Sequence, residues 1–333
     1  MMINIKLGSG ALRPLLCAAA MLTACPVQAQ GAAEAWPQRP VTLIVPFSPG
    51  ATVDIETRLY GNRLAQLTGG SFVVDFKPGA GTLIGLGYVA KSRPDGHVLG
   101  AMTPTVTIAR LTLPDSNFDP LKDLAPISLM SIRPVIFLVH PSLPVGTLKE
   151  FIAYAKANPG KVNVGTSGAG GLAELGWGWF NSITGIKTTL VHYKGGAPAL
   201  AAILAGEVHM FLGGFSTATG PIKSGRLKAL AISTPERSKK MPDLPTVSEQ
   251  GVPFDYVQWI GIAAPGGTPP ALIRRISAEL AKVAKTPEVE AKLEFDGTIL
   301  VGSTPERFRD IVTEEISRWT RVAKETGMKF SEQ

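Results

Sequence analysis

Cysteine is almost missing from this 333-residue chain, and its two copies, Cys17 and Cys25, both lie in the first 30 residues. Beyond that point the sequence has no means of forming a disulfide, a thiol nucleophile or a thiolate metal site. Only four histidines occur, and neither His-Glu-x-x-His nor a glycine-rich loop ending in Gly-Lys-Ser/Thr is present. The usual signatures of zinc hydrolysis and of nucleoside triphosphate binding are therefore lacking, and no metal and no cofactor are expected. Long apolar runs are lacking as well: Leu15 to Ala24 is well short of the roughly 20 residues that cross a bilayer. Concentrated positive charge is the last absence. The 33 Lys and Arg against 26 Asp and Glu leave a formal net charge of +7, but they are dispersed, with Arg237-Ser-Lys-Lys240 the densest group. A nucleic-acid partner needs a basic face with a recognisable motif, so none is expected.

What remains has the make-up of a globular protein, with 45% hydrophobic and 18% charged residues, and it is long enough for two full cores. The first residues read as a leader. Lys6 and Arg13 precede the apolar stretch, and Val27-Gln28-Ala29 is a small-residue cleavage pattern, which predicts a signal peptide over residues 1–29 and export to the periplasm. Leu22-Thr23-Ala24-Cys25 also resembles a lipoprotein box, with Cys25 as the acylated residue, although cleavage after Ala29 is favoured.

The mature chain alternates. Val41–Val45, Phe72–Phe76 and Val98–Met102 read as strands, separated by helices over Val53–Leu67 and Gly85–Ser92. A second block starts near residue 135, with a helix over Leu148–Ala157, a strand at 162–164, a helix from Leu172 and strands at 188–192, 208–212 and 227–232. The tail is helical. Thr268 reads as an N-cap with Pro269 at the first helical position, and Thr304-Pro305 repeats the device. Short strand-to-helix loops predict parallel sheets covered by helices. The expected architecture is two α/β lobes: residues 36–130 with 256–333, and residues 131–255. Apolar segments at 128–139 and 257–263 are the expected crossing strands.

Two turns carry the chemistry. Val45-Pro-Phe-Ser-Pro-Gly-Ala-Thr-Val-Asp54 and Lys161-Val-Asn-Val-Gly-Thr-Ser-Gly-Ala-Gly-Gly171 each lead from a strand into a helix through small residues. Unpaired N–H groups and the positive dipole end at a helix start favour an anion, and small side chains let it approach. The expected ligand contacts are Phe47, Ser48, Gly50, Ala51, Thr52 and Asp54 on the first turn, and Thr166, Ser167, Gly168, Ala169 and Gly170 on the second. Asp54 reads equally well as a residue holding its own turn, and Lys194-Gly195 as a counter-ion site or a solvated turn. Gly79-Ala-Gly-Thr-Leu-Ile-Gly85 superficially matches a dinucleotide fingerprint, but Lys77-Pro78 separates it from its strand. Gly165-Thr-Ser167-Gly-Ala169 narrowly misses a nucleophile elbow, which leaves a secreted α/β hydrolase using Ser167 as the alternative.

Several motifs in order resemble one family. Pro46-Phe-Ser-Pro-Gly50 with Asp54 and Arg58, Lys77-Pro-Gly-Ala-Gly81, Pro94-Asp-Gly96, Tyr193-Lys-Gly-Gly-Ala-Pro198, Leu227-Lys-Ala-Leu-Ala-Ile-Ser233, Leu244-Pro-Thr-Val-Ser-Glu249 and Ala264-Pro-Gly-Gly-Thr-Pro269 resemble the substrate-binding proteins of tripartite tricarboxylate transporters, the TctC or Bug family. The resemblance implies a two-lobed periplasmic-binding-protein fold of the type II, Venus-flytrap kind, closing on a small organic acid. It also implies transporter membrane subunits as partners, a monomer and no catalysis; a role presenting ligand to a sensor kinase stays open. Where the family has an aspartate after the strand at 208–212, this chain has Gly213-Gly214-Phe215. That loss argues against ligands with an amino group and toward larger or more apolar acids, with Phe215, Trp177 or Trp179 as ring contacts.

Overall fold

A computed structural model describes residues 36–168 and 172–327; the leader, Ala169 and Gly170 lie outside these described residues. Two sheets organise the chain. In the first, β1 (Val41–Val45) pairs in parallel with β2 (Phe72–Phe76) and β3 (Val98–Met102). Between β1 and β2 runs α1 (Thr52–Thr68), and between β2 and β3 runs α2 (Leu83–Ala90). After β3, a 3-10 turn at Pro104–Ile108 leads into the one-turn α3 (Ala109–Thr112). The long β4 (Leu124–Pro134) closes this half, and the chain crosses at Val135 into β5 (Ile136–Val139) of the second sheet.

The second sheet has the order β7-β6-β8-β5-β9. Its elements are α4 (Leu148–Ala157), β6 (Asn163–Thr166), α5 (Leu172–Thr184), β7 (Thr189–His192), α6 (Gly196–Ala205), β8 (Met210–Gly213), α7 (Phe215–Lys223) and β9 (Lys228–Ile232). The chain returns through β10 (Val257–Pro265) and ends in α8 (Pro270–Ala284), α9 (Pro287–Leu293), the short β11 (Ile299–Leu300) and α10 (Pro305–Thr326). The first sheet thus reads β11-β4-β10-β3-β1-β2.

Neither sheet is wholly parallel, contrary to the expectation from the loops. β10 runs antiparallel to β3 and β4, and β5 runs antiparallel to β8 and β9. The reason is the crossing: β5 and β10 enter their sheets from the other half rather than through a local helix. Both faces of each sheet are covered, as the apolar strands require.

Local chemistry sets the helix starts. Thr147 caps α4 with a full capping box, and Thr304 caps α10 by accepting from Arg307 N–H at 3.2 Å. Thr268 does not cap α8. Its hydroxyl donates to Pro265 O at 2.8 Å, and Pro269 stands at the cap. Trp177 and Trp179 both belong to the core, because α5 is sandwiched between its sheet and the end of α10. Trp177 packs on Phe137 and Phe180, while Trp179 meets Phe254 and Trp319.

Candidate functional site

Between the two sheets lies a cavity of about 560 Å³, a size typical of small-molecule sites. Its walls are helix starts: Thr52 opens α1, Leu172 and Ala173 open α5, Gly196 opens α6, and Phe215, Ser216 and Thr217 open α7. Its floor is made of the crossing strands, with Arg133, Pro134 and Val135 on one and Tyr256 and Gln258 at the other.

Ala51, Gly195 and Gly214 stand at the caps of α1, α6 and α7, and none offers a capping side chain. The first N–H groups of these helices therefore keep their hydrogen-bonding capacity and positive dipole for whatever enters the cavity. At Gly196 and Gly214 a Cβ would meet nothing within 4 Å, so the space before these two backbones is open.

The expected contacts divide. Thr52, Ser167, Gly168 and Phe215 line the cavity. Phe47 packs against the core of the first sheet, and Ser48, Gly50 and Ala51 sit on the turn before α1 without lining it. Asp54 is buried, accepting from Gly50 N–H at 2.8 Å and pairing with Arg58 at 2.5 Å, so it holds its own turn in shape. Gly50 has φ +86°, the left-handed region that favours glycine. Thr166 is buried, with its hydroxyl 2.8 Å from His192 Nδ1. Gly195 gives its N–H to Ser167 O at 3.1 Å and so ties the second turn to the start of α6. Lys194 is exposed and does not line the cavity.

Arg133, Gln258 and Asp296 were not foreseen from sequence. Arg133 Nη2 donates to Glu56 and its Nε to Asp296 Oδ2 at 3.1 Å. Burial pushes the Glu56 carboxyl above its usual range, opposed by the Arg133 charge. Gln258 lies opposite Arg133 in register and donates to Tyr256 Oη at 2.9 Å. These partners are far apart in sequence, and no local pattern joins them. Gly81 also lines the cavity, within a run from Gly79 to Thr82 in which every φ is positive, Ala80 at +46° and Thr82 at +84° included. For Thr82 this is a strained backbone, of a kind that clusters at ligand sites.

Comparison with known proteins agrees with this fold. Residues 57–328 match the family described as the tripartite tricarboxylate transporter family receptor, TctC. The chain is 32% identical to protein BugT of Bordetella pertussis, over 91% of this chain and 94% of that protein. Among solved structures, a Rhodopseudomonas palustris protein with adipate is 33% identical, with a TM-score of 0.71 over 88% of this chain and 99% of that one. MatC from Rhodopseudomonas palustris with bound malate is 30% identical, with a TM-score of 0.68 over 86% and 99%. A TctC solute-binding protein from Polaromonas, 23% identical, shares the fold at a TM-score of 0.80 over 87% and 99%. Two mixed sheets joined by crossing strands are thus the two-lobed architecture of periplasmic binding proteins, and this chain belongs to the tripartite tricarboxylate transporter receptor family of periplasmic solute receptors.

Proposed function

We propose that this protein captures a small organic acid between its lobes, residues 36–130 with 256–333 and residues 131–255, and delivers it as a monomer to the membrane subunits of a tripartite tricarboxylate-type transporter. The observation that carries this reading is the wall of helix starts without capping side chains. A carboxylate placed there accepts several backbone N–H bonds, each worth about 1.5–3 kcal/mol when the acceptor is charged. Three such bonds come to about 4.5–9 kcal/mol before the cost of association, against roughly 8 kcal/mol for a micromolar complex, so burial of the ligand's apolar skeleton supplies the remainder. The adipate and malate held by family members are acids of the same class.

Catalysis is not part of the proposal. Every histidine is engaged away from Ser167: His192 with Thr166, His140 with Ser142, His97 with Asp95, and His209 with Asn163 N–H. Among the described residues no histidine hydrogen-bonds that hydroxyl, which supports a binding role. Among the described residues no helix is long and apolar enough to cross a membrane; the leader read from the sequence supports a periplasmic location.

Calorimetry against a panel of mono-, di- and tricarboxylates and aromatic acids tests the reading. At least one acid binds in the micromolar range, and Gly196→Val and Gly214→Val abolish its binding. Both positions have φ values open to valine and free space for the side chain, so the thermal midpoint stays near wild type. A panel without a single binder, or two folded variants with native affinity, defeats the proposal.

A further inference from the structure

We infer that His192 is a positioning residue for the second turn of the cavity: its Nδ1–H sets the Thr166 hydroxyl, and that hydroxyl holds Gly168 in place beside the ligand. The inference rests on the reading that the cavity takes a carboxylate.

One proton decides the geometry. The Thr166 hydroxyl stands 3.2 Å from Gly168 O and 2.8 Å from His192 Nδ1. A carbonyl oxygen can only accept, so the single hydroxyl proton goes to Gly168 O. The shorter contact is then a bond only when Nδ1 carries a hydrogen and donates it to Thr166 Oγ1. The opposite tautomer turns the hydroxyl toward Nδ1 and strips Gly168 O of this donor. Nδ1–H is therefore the tautomer that satisfies both contacts. Thr166 is buried, where an unmade bond is costly.

This chain of bonds leads into the cavity. Thr166 and His192 are register partners on the parallel strands β6 and β7, which places their side chains on one face. Beyond them, Ser167 and Gly168 line the cavity from one side and Gly196 lines it from the start of α6. The backbone ties these walls, with Tyr193 N–H donating to Thr166 O at 3.0 Å and Gly195 N–H to Ser167 O at 3.1 Å. The His192–Thr166–Gly168 chain extends the tie one residue farther along the turn. On its other side, His192 Nε2 lies 3.9 Å from Glu174 Oε2 in the first turn of α5. The imidazole thus stands between the residue that opens the turn and the helix that follows it. His192 itself is on the edge strand β7, with 36% of its side chain exposed. Such a residue adds little to global stability, yet its hydrogen bond sets a wall of the cavity.

The test uses the full-length mature protein and has two readouts. Without ligand, long-range proton–nitrogen NMR of the neutral imidazole is expected to show hydrogen on Nδ1, and nitrogen relaxation reads the order of Ser167 and Gly168. His192→Asn offers an amide N–H in place of Nδ1–H and keeps that order. His192→Phe, which keeps a ring but no donor, and Thr166→Val both lower it. Acetate, succinate, adipate, citrate and benzoate are then titrated calorimetrically. An acid that binds the wild type is expected to bind His192→Phe about tenfold more weakly and His192→Asn within about threefold, at thermal midpoints close to wild type. Hydrogen on Nε2 overturns the inference, and so does a His192→Phe protein with an ordered turn or native affinity. An asparagine variant as impaired as the phenylalanine one overturns it too. If none of the five acids binds the wild type, that result counts against the carboxylate reading, and the tautomer and the order of the turn still decide the role of His192.

Discussion

Glu315 on α10 is an acid stored inside the protein. Trp259 Nε1 donates to its Oε1 at 2.9 Å and Thr107 to its Oε2 at 3.4 Å, while the Arg318 charge lowers its pKa and the Asp255 charge raises it. Burial pushes its carboxyl up to about 7. The folded state therefore retains a proton that the unfolded chain releases near 4.5. That stability is complete below the unfolded value and is lost as pH rises through about 7, a change on the order of 3 kcal/mol. Glu315→Gln is expected to raise the thermal midpoint at pH 8 and to leave it nearly unchanged at pH 4. Equal shifts at the two pH values would refute this account. No such role was legible in the sequence, because the carboxyl group is defined by Trp259 and Thr107, which lie 56 and 208 positions away. Asp54 was more legible, since both of its partners, Gly50 and Arg58, lie four residues away.

At the scale of elements, strands bounded by polar turns were readable to the residue: Val41–Val45, Phe72–Phe76 and Val98–Met102 occur as expected. The helix α7 was not, although it supplies a wall of the cavity. Gly213-Gly214 before it and Gly220-Pro221 within it are poor helix formers, yet Pro221 sits near its end, where little of the ladder is lost. The turn at Pro104–Ile108 was missed for a similar reason, its proline and threonines carrying no helical period. The helix α10 joins the two halves through Trp319, which is buried against Trp179 and Tyr256. Its indole N–H has no hydrogen-bond partner among the described residues. Trp319→Ala is expected to cost about 3–5 kcal/mol in chemical denaturation. Trp319→Phe should cost about half of that or less, because it keeps most of the ring and removes an unpaired buried donor. Equal losses in the two variants would show that the N–H, rather than the ring, is what matters.

For the molecule as a whole, the leader makes a prediction of its own. Mass spectrometry of the exported protein is expected to find Gln30 at the N-terminus. A diacylglyceryl group on Cys25 would show instead that the protein is tethered to the membrane. The division into two halves was legible because each half repeats its own strand–turn–helix alternation. The floor was not, because Arg133 and Asp296 are 163 positions apart and meet only once the crossing is made. That crossing has an optical consequence. All five tryptophans, Trp36, Trp177, Trp179, Trp259 and Trp319, are buried, and none lines the cavity. A bound acid that neither absorbs nor fluoresces thus has no indole to touch. Trp259 lies on β10 within the crossing and Trp319 packs on Tyr256 at its edge. Tyr256 itself lines the cavity, so a change in ultraviolet emission on loading such an acid reports, at one remove, a shift in the floor against which Trp319 packs, and the protein carries its own label for that shift.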